Sequence, residues 1–378
     1  MNHTYPNSAG VISIMNKNYT AYPLTIAVVT VIGTGIHTAS AFELDVYGVG
    51  HLSADSNDNG EDSQGYIASN SSRLGIRGKH ENGEGLQLSV QYESGVDLTG
   101  RGTNDGNGPG TENNLFSTSR DSFVNLGGRF GTVSVGRLGV LNQWLYDYNL
   151  FADQIGDLGN IWGGTGVPGR INGIIAYTTP EFGGGFNGFA GYVPESGTDN
   201  GDTTVLKLNM NNPSGVKLGI GYSNQGNGIF SPPALKDQTT FAVTASYSMG
   251  SFSIGGGFQS DTDIAGINGD DQKSFTLGGS YNIGPTTFKT QFTNSATDTA
   301  DGDAADKDAK LIAVGVDYAL DKATTLYAAY ASTNNDPAAA FTANNYGHGQ
   351  AVDPVANGED PSSFSVGIVY KFDTNIIK

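Results

Sequence analysis

The residues of this 378-residue sequence that are spaced to do chemistry carry charge rather than nucleophiles. Arg73, Arg77 and Lys79 fall at alternate positions, out of step with Leu74 and Ile76, so in a strand their charges share one face. A separate stretch from Leu138 to Gly169 holds Asp147, Asp153 and Asp157 among both tryptophans, Tyr146, Tyr148 and Phe151. Acids and bases gathered in confined water create a local field that orders water and orients dipolar solutes, which is the chemistry of passage rather than of bond-making.

Motifs for bond-making chemistry fail on their context. Asp55-Ser56-Asn57-Asp58-Asn59-Gly60 opens like a calcium loop, but Tyr66 stands where a bidentate Glu must close the site. The Asp-rich run from Asp298 to Asp308 reads as a solvated loop. Gly164-Thr165-Gly166-Val167-Pro168-Gly169 has dinucleotide spacing, yet it precedes a strand-like run instead of following one. His3, His37, His51, His80 and His348 are scattered, and the absence of Cys removes thiolate metal sites and disulfides. No catalytic residue, metal site or cofactor is expected. A net charge of −18 argues against nucleic acid as a partner, because phosphates demand basic patches.

The elements that must position these charges are strands. In Leu86-Gln87-Leu88-Ser89-Val90-Gln91-Tyr92-Glu93 every even residue is apolar and every odd one polar, the pattern of a strand with one oily and one wet face. Ile312, Val314, Val316, Tyr318 and Leu320 alternate with small or polar residues in the same way, as do Phe364, Val366, Ile368, Tyr370 and Phe372. Sixteen such segments run from 42–53, through 66–80 as the second, to 362–372. Short connections such as Gly284-Pro285 exchange with long polar ones such as 94–119, 297–309 and 334–361. An even strand number, short turns on one side, long loops on the other and tyrosines near segment ends predict an all-β fold, an antiparallel transmembrane β-barrel of sixteen strands. The polar face, with Gln87, Gln91, Glu93, Lys289, Gln291 and Lys371, suits a watery lumen. The stretch 138–169 is too oily to float in water, so it is expected to fold inward as the third loop and narrow that lumen.

Residues 1–41 read as a secretory signal peptide, with Lys17 in a weakly positive start, an apolar run from Leu24 to Ile36, and Ala39-Ser40-Ala41 before the cut; residues 1–14 precede an internal Met and read as an over-long start. The barrel is expected over 42–372, with 373–378 as an extension beyond it.

With these segments in order, the chain resembles the general diffusion porins of Gram-negative bacteria. The resemblance covers 42–372 and is carried by Ser72-Arg73-Leu74-Gly75-Ile76-Arg77-Gly78, by Phe130-Gly131-Thr132-Val133-Ser134-Val135-Gly136-Arg137, by Asp153-Gln154-Ile155-Gly156-Asp157, by Gly169-Arg170-Ile171-Asn172-Gly173 and by Tyr177-Thr178-Thr179-Pro180-Glu181-Phe182-Gly183-Gly184. It implies a homotrimer in the outer membrane, among lipid and lipopolysaccharide, that passes small hydrophilic solutes and ions. It also implies a constriction in which Arg73, Arg137 and Arg170, with Arg77 beside them, face the loop acids Asp153 and Asp157, with Asp147 as a further one. Arg137 shares the parity of Val133 and Val135, so it needs a bulge near Gly136 to turn inward. Family members commonly end on an aromatic, and Phe372 followed by six residues departs from that. The acid excess in the loops predicts a weak preference for cations. A substrate-selective channel and a loop-borne adhesin or phage receptor are the alternatives.

Overall fold

The structure is a computed structural model, and it describes residues 42–100, 119–141, 148–163, 169–194, 200–230, 236–298, 307–349 and 351–377. The expected signal peptide lies outside the described residues. The strands are β1 (Phe42–Asp58), β2 (Ser63–Ser69), β3 (Arg73–Glu81), β4 (Gln87–Gly95), β5 (Ser119–Gly128), β6 (Gly131–Gly139), β7 (Arg170–Thr178), β8 (Phe186–Val193), β9 (Thr203–Asn211), β10 (Val216–Gln225), β11 (Gln238–Met249), β12 (Phe252–Thr262), β13 (Asp271–Ile283), β14 (Thr286–Asp298), β15 (Ala309–Ala319), β16 (Thr324–Asn335) and β17 (Ser362–Ile377), and the loop after β6 carries a helical turn, α1 (Gly159–Trp162).

From β3 onward each strand pairs antiparallel with the next, and β1 pairs with β17 on one side and with both β2 and β3 on the other, so the sheet closes on itself. Because β2 and β3 are two arms of one stave, broken at Asn70-Ser71-Ser72, the seventeen strands make sixteen staves. Closure removes the free edge strands of an open sheet, the condition a sheet must meet to stand in lipid.

The barrel is oily outside. Along β15, Ile312 and Val314 are 50% and 46% exposed, while Leu311 and Ala313 are buried. The largest buried apolar side chains are Trp162, Phe151, Leu141, Ile155 and Ile161 from the loop after β6, joined by Ile174 and Leu311 from the wall. Burying the five loop side chains contributes on the order of 10 kcal/mol to holding that loop inside. Val314→Lys, which puts an ammonium into the lipid face, is expected to cost about 2–4 kcal/mol, read as a lower urea midpoint for unfolding from lipid vesicles.

Two boundaries differ from expectation. The last strand does not stop at Phe372: residues 373–377 continue β17 along β1, with Asp373 opposite Tyr47 and Ile377 opposite Leu44. Asp373 also meets Arg77 at 2.6 Å, which ties the tail across β1 to β3. The connection after β16, expected as an external loop, sends Ala339, Ala343, Asn344 and His348 into buried positions. Between Asp336 and Asp353 only His348 can carry a charge near neutral pH, so little solvation is lost when this strap is buried.

Candidate functional site

The loop after β6 reaches its position by meeting a wall of small residues. Gly156 holds φ +76, and a Cβ there would run into Ala313 and Ala331. Phe151 packs over Gly315, and Trp162 over Gly257. Polar side chains of the wall then take up the loop's backbone and side chains. Gln291 accepts from the Leu150 N–H at 3.0 Å, Gln272 donates to the Ile161 carbonyl at 3.1 Å, and the Lys289 ammonium donates to Gln154 at 2.8 Å.

Above the loop lies the strap from Asp336 to Pro361. The Gly156 N–H donates to the Ala343 carbonyl at 2.8 Å, and the Asn160 carboxamide holds the Asn345 and Tyr346 N–H groups and the Ala343 carbonyl. Asp55 of β1, first in the calcium-like run, is buried under this strap. It accepts from Ser365 and Ser53 and lies 3.5 Å from His348.

Loop, strap and wall enclose a cavity of about 530 Å³ lined by charges of both signs. Arg73 Nη1 meets Asp153 Oδ2 at 3.3 Å, and Asp153 adopts a left-handed backbone, φ 60, at the loop's tip. Arg170 Nε meets Asp121 Oδ1 at 2.7 Å, Arg120 Nε meets Glu93 Oε1 at 2.6 Å, and Lys289 Nζ meets Asp317 Oδ2 at 2.9 Å. Tyr346 and Gly347 of the strap also line the cavity.

Of the residues expected at a constriction, the structure brings Arg73, Arg170 and Asp153 together at this cavity. Three others sit elsewhere. Asp157 is fully buried beneath the loop surface, where it accepts from Asn149 at 2.6 Å, the Gly159 N–H at 2.8 Å and the Asp153 N–H at 3.0 Å. It builds the loop instead of facing water. Arg77 lies away from the cavity, clamped by Asp373 and stacked over the Tyr47 ring at 4.4 Å. The anticipated irregularity beside Gly136 is present, with Arg137 opposing both Asn172 and Gly173, but Arg137 donates to Asn172 at 2.5 Å and does not line the cavity. Asp147 lies outside the described residues.

Alternation reasoning missed Arg120 and Asp121 because a register shift, not a period, places them. It named Glu93 and Lys289 only as wet-face positions and Asp317 only as an alternating one. The partner of each lies on an adjacent strand, out of reach of one segment's periodicity.

Comparison with known proteins fits this geometry. Residues 24–339 match the family model described as Gram-negative porin. Outer membrane porin protein 32 of Delftia acidovorans is 30% identical over 325 residues, covering 82% of this chain and 86% of the relative. Chitoporin of Vibrio furnissii is 33% identical over 189 residues, 46% of this chain and 49% of that protein. Among solved structures, an anion-selective porin from Comamonas acidovorans superposes with a TM-score of 0.71 at 28% identity, covering 88% of this chain and all of that one. A closed, oily-walled barrel with a charged internal cavity, together with a family match over most of its length, shows that the chain belongs to the Gram-negative porins.

Proposed function

We propose that this outer-membrane porin passes small hydrophilic solutes and ions by diffusion, and that its narrowest passage is the cavity at Arg73, Arg120, Arg170 and Asp153. The single observation that carries the reading is a closed barrel that holds a cavity of about 530 Å³ lined by charges of both signs and bounded by an inward loop. Water and dipolar solutes are favoured there by fixed charges of both signs, whereas apolar solutes lose hydration without gaining contacts.

The weak preference for cations expected from the acid excess in the loops finds no support in the cavity lining. Arg73, Arg120, Arg170, Lys289 and Lys371 stand against Glu93, Asp121, Asp153 and Asp317, so the passage is near neutral while the acid excess lies elsewhere. The reading is a weakly selective pore, assembled as a homotrimer among lipid and lipopolysaccharide. A substrate-selective channel is the second reading, favoured by the match to a chitoporin, and a saturable block of current by one solute would establish it.

Purified protein in a planar bilayer tests the first reading. Stepwise conductance with closures in three equal steps is the expected result, and a protein that folds but never conducts would sink it.

A further inference from the structure

Strands β4 and β5 slip register where the cavity is built. Tyr92 faces Ser122 and Ser94 faces Ser119, so Glu93 alone on β4 stands against both Arg120 and Asp121 on β5. Consecutive residues of a regular strand point to opposite faces, but a bulge turns both the same way. Both side chains accordingly line the cavity. Asp121 then matches Arg170 at 2.7 Å and Glu93 matches Arg120 at 2.6 Å, so one local irregularity sets two ion pairs side by side.

These pairs are not equivalent. Glu93 and Arg120 are only 7% and 6% exposed. The second carboxylate oxygen of Glu93 accepts from the Tyr47 hydroxyl at 2.9 Å, so the acid is held at both oxygens and cannot swing to another base. The loop pair Arg73–Asp153 is longer, at 3.3 Å, and about a quarter of each side chain is exposed. Small ions in the passage therefore meet a loop acid that can move and a wall acid that cannot.

Resting on the pore reading above, we propose that Glu93 is a selectivity-determining residue of this porin: by cancelling the charge of Arg120 in the wall it keeps the constriction from favouring anions. Without it the lining carries five bases against three acids, and chloride enters ahead of potassium. The loop acids are secondary in this respect, since the wall supplies three of the four carboxylates at the cavity.

The test is the zero-current potential of the full-length protein in planar bilayers under a KCl gradient. Glu93→Gln is expected to move the potassium-to-chloride permeability ratio toward chloride by about threefold or more, an effect that shrinks at high salt. Arg120→Gln is expected to move it toward potassium by a similar factor, and the double variant to return near the starting ratio. A merely structural role for the pair would lower the conductance of both single variants and leave their ratios unmoved, and that result overturns the proposal. Should Glu93→Gln fail to assemble, Arg120→Gln decides alone, because an unchanged ratio there is equally fatal. A wild-type protein with no conductance removes the pore reading itself, and is told apart from the other outcomes by its silence.

Discussion

Asp157→Ala is expected to unseat the inward loop and make the open pore noisy. The carboxylate is fully buried and satisfies three donors, Asn149 and the N–H groups of Gly159 and Asp153. Removing it leaves three buried donors unpaired at roughly 1 kcal/mol or more each, so the loop loses about 3 kcal/mol of docking free energy. At 1.4 kcal/mol per tenfold, the population of displaced loops rises on the order of a hundredfold. Single-channel recordings should show this as frequent excursions to higher conductance, with the barrel still intact by its heat-dependent gel mobility. Burial, reinforced by the neighbouring charge of Asp153, pushes the Asp157 carboxyl up to about 8 against the pull of its donors. A pKa higher in the seated loop than in the free one, about 4 for an ordinary Asp, means that seating is favoured most below pH ~4 and less as pH rises through 8. Wild-type noise should therefore grow between pH 5 and pH 9. Asp157→Asn keeps a carbonyl acceptor and cannot ionise, so its noise should be modest and flat in pH. An Asn variant that retains the pH dependence would place the titrating group elsewhere.

The contrast between Asp153 and Asp157 shows where reading from sequence runs out. In the strands, period two is enough to tell that Val314 faces lipid and Ala313 the lumen, because the pleat enforces alternation whatever the neighbours are. The oiliness of 138–169 likewise shows that it cannot sit in water, and Trp162 and Phe151 are in fact among the largest buried side chains. Within the loop there is no period. Two acids four residues apart part company because Asp153 takes a left-handed backbone and projects, while Asp157 turns back onto the N–H groups of its own turn. The bulge opposite Glu93 is invisible for a related reason: it is a property of two paired strands, and neither carries a glycine or proline at that point to announce it. Parity puts Arg77 on the face opposite Leu74 and Ile76, yet parity says nothing about depth, and its partner Asp373 lies past Phe372, the expected end of the barrel. The inward strap does carry a signal in the sequence, the run from Pro337 to Val352 in which His348 is the single side chain that can be charged near neutral pH.

Asn160→Leu is expected to release that strap and widen the passage. Asn160 sits in α1 and is almost wholly buried. Its carbonyl oxygen accepts from the N–H groups of Asn345 at 3.0 Å and Tyr346 at 2.7 Å, and its amide donates to the Ala343 carbonyl at 3.1 Å. One side chain therefore answers three backbone groups of a segment that has no regular structure of its own. Leucine is close in volume but can answer none of them, and three buried backbone groups left without that partner cost about 3 kcal/mol or more. The loop keeps its apolar anchors, Phe151 and Trp162, against the wall, so the strap is the part that yields. Tyr346 and Gly347, which line the cavity, leave with it. Liposome-swelling rates measured with sugars of increasing size should then fall off less steeply for the variant than for the wild type, with the largest gain for the bulkiest sugar. If all sugars speed up by the same factor, the strap does not set the size limit, and the inward loop alone forms the constriction.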